Sequence, residues 1–250
     1  TNVVEKIAAD FTALNNTTLA SNGFENWEKT SAGVMPKMTV TPMAETTIPV
    51  KEVAPAADAS VYNGTPSTTL RTEGTTVYID SAADLALFAK NVTDGTDSYA
   101  GKTVLLTKDI IWNTGDASTW FMTSKAPKYT WVCGAWGKPF KGTFDGQGHV
   151  ISGLYGQSQA GADKDNVGFF NVADGNVTVK NLAIVNSLFS TTNNGSGNVG
   201  GVFGLVGFES NSTAAATIDN VFVDAYCAAP AAVCVGGLIG KLHHEDAAVT

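Results

Sequence analysis

The sequence is poor in charge, in arginine and in long hydrophobic runs. Charged residues make up 15% of its 250 residues, against about 25% in a typical soluble domain. The formal net charge is −8, and Arg71 is the only arginine. Nucleic-acid binding normally needs a basic stripe, so we expect no nucleic-acid partner and no attraction to an anionic membrane surface. No run of 18 apolar residues occurs, so no membrane span is predicted.

Cysteine and histidine are scarce as well. The three cysteines, Cys133, Cys227 and Cys234, are odd in number and lack the spacing of a zinc site. We expect all three to be small apolar core residues; the alternative is a disulfide between Cys227 and Cys234 in an oxidising compartment. The densest polar cluster has residue types that bind metals, but its place in the repeats favours a solvated loop; it comprises His243, His244, Glu245 and Asp246. The sequence thus predicts no metal and no cofactor.

Small and β-branched residues are abundant instead, and they suit a long, flat β surface. Residues 1–75 form one block rich in Thr, Ala, Pro and Val. Within it, residues 37–41 alternate polar with apolar side chains, as a half-buried strand does. We expect a small β-rich segment here, followed by a linker over residues 54–69.

The pattern changes near Thr75, where we place the start of a second domain, residues 76–250. Ser81 offers a helix N-cap, and Asp84 lies three residues later, at the spacing of a capping box. A helix is predicted over residues 82–91, with Leu85, Phe88 and Ala89 on one face, and a strand over residues 102–112. A helix followed by strands is what the open end of a repeat array needs as a cap.

Two short elements alternate from Phe140 onward. One is glycine-flanked and occurs as VGFF (167–170), VGGVFGLVG (199–207) and VGGLIG (235–240); the other occupies residues 149–154, 178–184 and 217–223. The glycine-flanked element recurs after 32 and then 36 residues. Repeats of about 20–50 residues predict a solenoid or a propeller, and the lack of a recurring hairpin signal favours the solenoid. Glycines suit corners with positive φ and close stacking of coils. The predicted fold is all-β: a right-handed parallel β-helix with an N-terminal capping helix.

The repeats also predict details of the coils. Aligning Gly153, Asn181 and Asn220 gives spacings of 28 and 39 residues, so insertions are expected in loops. Asn181 and Asn220 are expected to form a side-chain ladder between successive coils. Residues 247–250 resemble residues 215–217, the lead-in to a strand, so the β-helix is expected to be cut short at its C-terminus.

The aromatic residues between positions 112 and 139 predict an extended loop that folds over the end or side of the β-helix. The favoured interpretation is that their rings form a satellite core; the alternative is that they contact a ligand. They are Trp112, Trp120, Phe121, Tyr129, Trp131 and Trp136.

Catalysis is not predicted. A lyase of the pectate-lyase type needs a basic residue, commonly arginine, beside its substrate, and Arg71 precedes the β-helix. A glycoside hydrolase needs two carboxylates on a common face, and the candidates are scattered along the chain: Asp145, Asp163, Asp165, Asp174, Asp219 and Asp224. We therefore assign no catalytic residue.

Residues 140–151, FKGTFDGQGHVI, resemble the F-x-G-T-F-D-G-x-G-H-x-I segment of bacterial surface proteins with GLUG-type repeats. The VGGVFGLVG and VGGLIG stretches are similar to the repeat that names that family, and the resemblance covers residues 76–250. It implies an extracellular, cell-surface adhesin or stalk whose partner is a glycan, a host or matrix protein, or another fimbrial or filament subunit. Residues 1–75 weakly resemble pilin-like lipoproteins of Bacteroides-type bacteria, which implies a fimbria-associated subunit.

Three functions follow from these observations. The first is a non-catalytic cell-surface or fimbria-associated adhesin or structural module. The second is a polysaccharide-active enzyme of the pectate-lyase-like class. The third is a rigid phage or filament structural protein that uses the β-helix as a spike.

Overall fold

The structure is a computed structural model that describes residues 27–28, 37–38, 53–121, 123–158, 166–191, 197–207, 214–229, 234–243 and 248–249. The chain divides into two compact units, Thr1–Glu52 and Val53–Thr250. In the first unit, β1 (Trp27–Glu28) pairs antiparallel with β2 (Lys37–Met38). The strand predicted at residues 37–41 is therefore confirmed at its first two residues, and the rest lies outside the described residues.

The second unit is an all-β parallel β-helix with one α-helix, as predicted. The segment before the first full coil contains β3 (Ser60–Val61), β4 (Arg71–Glu73), β5 (Thr76–Ile79), helix α1 (Ala82–Asp94), β6 (Thr103–Leu106) and β7 (Ile110–Ile111). The first coil contains β8 (Thr143–Asp145), β9 (Val150–Ser152), β10 (Tyr155–Gln157), β11 (Asn166–Val167) and β12 (Phe170–Ala173). The later coils contain β13 (Asn176–Ser190), β14 (Asn198–Gly200) and β15 (Phe203–Val206), then β16 (Ala215–Ala228), β17 (Cys234–Gly236) and β18 (Ile239–Leu242), then β19 (Ala248–Val249).

Strands at equivalent places in successive coils pair in parallel. β13 lies between β8, β9 and β10 of the first coil and β16 of the third. The other two sheets have the orders β11-β14-β17 and β12-β15-β18. β19 pairs with the first residues of β16 in the same parallel register. Each coil therefore rests on the previous one at the usual strand spacing of about 4.8 Å.

The register corrects the alignment of the repeats. Val150 pairs with Ala183, so Gly153 is level with Asn186 and not with Asn181. The first coil has four residues (146–149) between β8 and β9, where β13 has only two between the paired positions Lys180 and Ala183. The sequence alignment is wrong by five residues because Gly153, Asn181 and Asn186 are all corner residues with positive φ, and Gly153 was matched to the wrong one of the two asparagine corners.

The predicted asparagine ladder is confirmed. The Asn220 side-chain amide donates to Asn181 Oδ1 at 3.0 Å, and the Asn181 amide donates to Asp145 Oδ1 at 3.1 Å. Both asparagines have positive φ, 50° and 52°, a conformation that asparagine tolerates better than most residues. The ladder therefore fixes one corner through all three coils, with Asp145 as its first member.

Helix α1 caps the N-terminal end of the β-helix. Ser81 Oγ accepts a hydrogen bond from the Asp84 N–H at 3.2 Å, and Gly95 ends the helix with a φ of 76°, so the predicted N-cap is confirmed and the helix runs three residues further than predicted. Leu85, Phe88 and Ala89 are buried. Hence the helix covers the end of the core with the face that the sequence predicted.

The compact unit begins at Val53, earlier than the composition change near Thr75. β3 lies within residues 54–69, which the composition assigned to a linker, and it pairs in parallel with β7. β4 folds back antiparallel on β5 at the outer edge of the main sheet and presents the charged residues Arg71 and Glu73. Charged side chains on an edge strand oppose pairing with other chains.

Candidate functional site

Three tryptophans of the aromatic loop belong to the core, as the favoured interpretation predicted. Trp112, Trp120 and Trp131 are buried. Trp131 stacks on Phe169 with ring centroids 5.5 Å apart, and its indole N–H donates to the Phe169 carbonyl at 2.9 Å. Trp120 packs against Tyr155 on the outer side of the β-helix. These rings are therefore not available to a ligand.

Four large aromatic side chains remain exposed in the described part of the chain: Phe121 (50%), Phe222 (48%), Tyr226 (46%) and Trp136 (45%). The Phe121 and Tyr226 rings meet edge to face at 5.9 Å. Phe222 lies on the same strand as Tyr226, four residues earlier. Trp136 lies elsewhere, against the His243 ring at 6.2 Å.

The outward residues of β16 form one row. Burial alternates along this strand: Phe222, Asp224 and Tyr226 are exposed, whereas Val221 and Val223 are half-buried and pack against the core. Alternate residues of a strand share a face, at about 6.6 Å per two residues. The Cα atoms of Phe222 and Tyr226 are therefore about 13 Å apart along the strand, with Asp224 between them. We call the surface formed by Phe121, Phe222, Asp224 and Tyr226 the aromatic face.

In the first two coils, the positions equivalent to Phe222 and Tyr226 are covered by other parts of the chain. Phe222 is the third member of a column that starts with Val150 and Ala183, and both of those are buried with Val53 packed on them. Thus the first column is covered in the first two coils and exposed in the third.

The second column behaves in the same way. Tyr226 follows Tyr155 and Leu188, and both of those are buried beneath Trp120 and Ala117. In the third coil, where neither column is covered, these positions hold the large aromatic rings of Phe222 and Tyr226. The sequence reasoning missed Phe222 and Tyr226, because both alternating sets of side chains in VFVDAY (221–226) are largely apolar.

Asp145 serves the ladder and is not free for catalysis. Its carboxylate is buried, accepts the Gln147 N–H at 3.0 Å and the Asn181 amide at 3.1 Å, and lies 3.4 Å from Lys180 Nζ. Burial raises the pKa of Asp145, but these bonds and the Lys180 charge outweigh it and hold the pKa below its ordinary value. Asp145 is thus an ionised structural anchor.

The other carboxylate candidates in the described part of the chain do not gather at one site. Asp174 is buried, with an ion pair to Lys141 at 3.1 Å, and Asp219 and Asp224 are exposed on β16. Asp219 is level with Lys180, which is level with Asp145, so Asp145 and Asp219 lie two strand spacings apart with a lysine between them. Asp163 and Asp165 lie outside the described residues.

Arg71 is engaged on β4 by its neighbours. Its guanidinium forms ion pairs with Asp80 at 2.9 Å and Glu73 at 3.1 Å. It also stacks on the Tyr78 ring at 3.5 Å. These contacts hold the side chain of Arg71 at the edge of the sheet.

Asp109 joins three separate segments of the chain. Its carboxylate accepts the Ala56 N–H at 2.7 Å and the Val150 N–H at 3.0 Å, and it lies 2.7 Å from His149 Nδ1. Burial raises the pKa of Asp109, but these hydrogen bonds outweigh it and leave the pKa below its ordinary value. Asp109 therefore anchors the segment before β3 to the first coil.

Asp109→Asn is expected to lower the free energy of unfolding near neutral pH by about 1–3 kcal/mol. Because the folded-state pKa is depressed, the ionised carboxylate stabilises the fold above its unfolded pKa of about 3.9, and this stabilisation is lost as the pH falls through the folded pKa. Urea unfolding of both proteins between about pH 7 and about pH 3 checks this. We expect the difference to shrink in acid, and a difference that is constant with pH would contradict the assignment. Asp58→Asn, at an exposed carboxylate 3.5 Å from Lys108, is the control with little effect.

The cysteines are free thiols in the structure. Cys133 is buried, which confirms its core assignment, and Cys227 and Cys234 are partly buried. Burial raises the pKa of the Cys227 thiol to about 11, so this thiol is protonated near neutral pH. The alternative of a disulfide between Cys227 and Cys234 is not what the structure contains.

No group of three metal-ligating side chains occurs among the described residues. Of the polar cluster near the C-terminus, His243 is exposed, and His244, Glu245 and Asp246 lie outside that part of the chain. In the same described regions, no helix has the length and apolar character needed to cross a membrane.

No protein-family model matches the chain, and comparisons with curated proteins and with solved structures give no match either. The resemblance to surface proteins with GLUG-type repeats therefore remains one of motifs alone.

Proposed function

We propose that the chain is a non-catalytic module of a bacterial cell-surface or fimbria-associated protein, and that its β-helix carries an adhesive surface. The observation that supports this most strongly is the aromatic face. Phe222 and Tyr226 on the third coil and the adjacent Phe121 are each about half exposed, although the columns of Phe222 and Tyr226 are covered in the first two coils. Clustered exposed aromatic side chains are typical of binding surfaces.

The scaffold suits such a role. Phe222, Asp224 and Tyr226 stand on β16, which pairs with β13 along most of its length, so their spacing is set by backbone hydrogen bonds. A surface on a rigid strand loses little conformational entropy when a partner binds. The motif resemblance supports an extracellular location with a glycan, a host or matrix protein, or a fimbrial subunit as the partner.

A filament subunit is the second candidate, and a separate observation favours it. Among the described residues, β17 and β18 pair on one side only. Val235, Leu238 and Leu242 are exposed, whereas their counterparts one coil earlier, Val199, Val202 and Val206, are fully buried. An open sheet edge beside exposed apolar side chains can accept a further strand, either from the same chain or from another one.

The pectate-lyase-like enzyme is less well supported. The best candidate for its active site is the column of Asp145, Lys180 and Asp219. The Cα atoms of Asp145 and Asp219 are about 9.6 Å apart by strand spacing. Hydrolase carboxylates lie roughly 5–10 Å apart, but Asp145 is buried and committed to the ladder. Release of sugars from polysaccharides, abolished by Asp219→Asn, would favour this alternative.

The test is adhesion of beads coated with the chain to host cells and to immobilised matrix proteins. We expect Phe222→Ser together with Tyr226→Ser to reduce adhesion by about tenfold or more, since these rings are the proposed contacts. Val61→Ser, at an apolar residue on β3 that is 56% exposed, is the matched control and should adhere normally. Equal adhesion of the double variant, or reversible growth of fibres without adhesion, would contradict the proposal.

A further inference from the structure

We infer that the aromatic face binds a neutral oligosaccharide. This inference rests on the proposed adhesive function and names the ligand class of the same surface. Three features of the face support it: the spacing of the rings, the exposed carboxylate between them and the way Phe121 borders the row.

The spacing of the rings suits a chain of sugars. Phe222 and Tyr226 stand about 13 Å apart along β16, further than one pyranose ring extends. Aromatic rings offer flat apolar faces on which the C–H faces of pyranose rings stack. A ligand that contacts both rings must therefore be an oligomer that lies along the strand.

Phe121 gives the row a border at one end. Its ring meets the Tyr226 ring edge to face at 5.9 Å, and it extends from the segment that buries Trp120 against Tyr155. Since Trp120 is fixed in this satellite core, the backbone beside Phe121 is held in place. The Phe121 ring thus closes the row at the Tyr226 end and limits how far a ligand can shift along the strand.

The carboxylate of Asp224 distinguishes a glycan from a protein partner. Asp224 is exposed and makes no hydrogen bond or ion pair with the residues that the structure describes. A protein surface that covered both rings would bury this charge, which costs free energy unless the partner supplies a cation. Sugar hydroxyls can donate hydrogen bonds to the carboxylate while it stays partly hydrated.

The sign of the charge restricts the glycan further. Asp224 stands between the rings, and the whole chain has a formal net charge of −8. Sulfated and uronic-acid glycans would bring negative charges close to this carboxylate, which is unfavourable. The surface therefore selects neutral hexose or N-acetylhexosamine oligomers over acidic ones.

The experiment is titration calorimetry of the full chain with neutral tetrasaccharides of glucose, galactose and N-acetylglucosamine, and with a heparin tetrasaccharide as the acidic probe. We expect at least one neutral probe to bind and heparin not to bind. Phe222→Ala and Tyr226→Ala should each weaken binding by about tenfold, and Val61→Ala should not. Asp224→Asn should weaken the binding of the neutral tetrasaccharides less than the two ring substitutions do. It should also reduce the discrimination against heparin.

The outcomes separate this inference from the function on which it rests. If no tetrasaccharide binds while bead adhesion still depends on Phe222 and Tyr226, the glycan inference is overturned and the adhesive function stands. If heparin binds more tightly than the neutral probes, the charge argument is overturned. If neither sugars nor cells bind, both proposals are overturned. Circular dichroism of each variant confirms that the fold is kept.

Discussion

Gly153→Ala is expected to reduce the free energy of unfolding by about 2–5 kcal/mol, the sum of a backbone term and an overpacking term. Gly153 has a φ of 80°, and a Cβ there would lie 2.0 Å from the Asn113 carbonyl oxygen. Asn113 cannot move aside easily, because its side-chain amide donates to the carbonyls of Gly153 and Tyr129 at 2.9 and 2.7 Å. Both the turn and the packing between two segments would therefore be disturbed.

Gly148→Ala separates the two terms. Its φ is 82°, almost the same as that of Gly153, but a Cβ there meets no atom within 4 Å. Only the backbone term of about 1–2 kcal/mol should apply. Chemical unfolding of both variants measures the difference. Equal losses at the two positions would show that the close approach to Asn113 contributes nothing.

Phe88→Ala is expected to cost about 3–5 kcal/mol, the usual loss for a buried phenylalanine. Phe88 is fully buried on α1, and its ring contacts Phe140, Phe144 and Phe170 of the first coil at centroid distances of 5.7–6.1 Å. Truncation would leave a cavity between the cap and the first coil. The loss should be read from urea or guanidinium unfolding, with the heat-induced transition as a second measure.

Leu87→Ala is the matched control on the same helix. Leu87 is only half-buried, so its truncation should cost much less than that of Phe88. Leu87→Ala keeps the helix propensity nearly constant, because leucine and alanine are both strong helix formers, whereas Phe88→Ala raises it, so a large loss at Phe88 cannot come from helix propensity. A Phe88→Ala loss no larger than the Leu87→Ala loss would show that α1 is not an essential cap.

Much of the fold is visible in the sequence because local rules agree with each other. The capping box at Ser81 and Asp84 and the glycine at position 95 fix both ends of α1. The asparagines at positions 181 and 220 mark a repeated corner, because few other residues take positive φ and also bridge coils. These signals need only a few neighbouring residues, so they can be read without knowing the register.

Register and boundaries are harder to read. Gly153 was aligned with Asn181 although it is level with Asn186, because both asparagines occupy corners with positive φ and the strand pattern alone does not tell the two corners apart. β3 has only two paired residues within a segment rich in alanine, proline and serine, so nothing in its composition distinguishes it from a linker. Its place in the sheet depends on pairing with β7, which is fifty residues away in the sequence.

The aromatic face is the least predictable part. In residues 221–226 both alternating sets are largely apolar, so the sequence does not show whether Val221 and Val223 or Phe222 and Tyr226 face the core. The corner at Asn220 decides this by setting which residues of the following strand point outward. The loop tryptophans had the stronger signal for ligand binding, but three of them are buried, Trp112 and Trp131 in the main core and Trp120 over the first two coils.

Hydroxyl-radical footprinting of the full chain bound to target cells tests the central claim most directly, because it measures side-chain exposure on the intact fold. We expect Phe121, Phe222 and Tyr226 to become protected on binding. Trp136, which is equally exposed but lies outside the aromatic face, should react as it does in the unbound protein. Protection of Trp136 without protection of Phe222 and Tyr226 would contradict the claim that the third coil carries the adhesive surface.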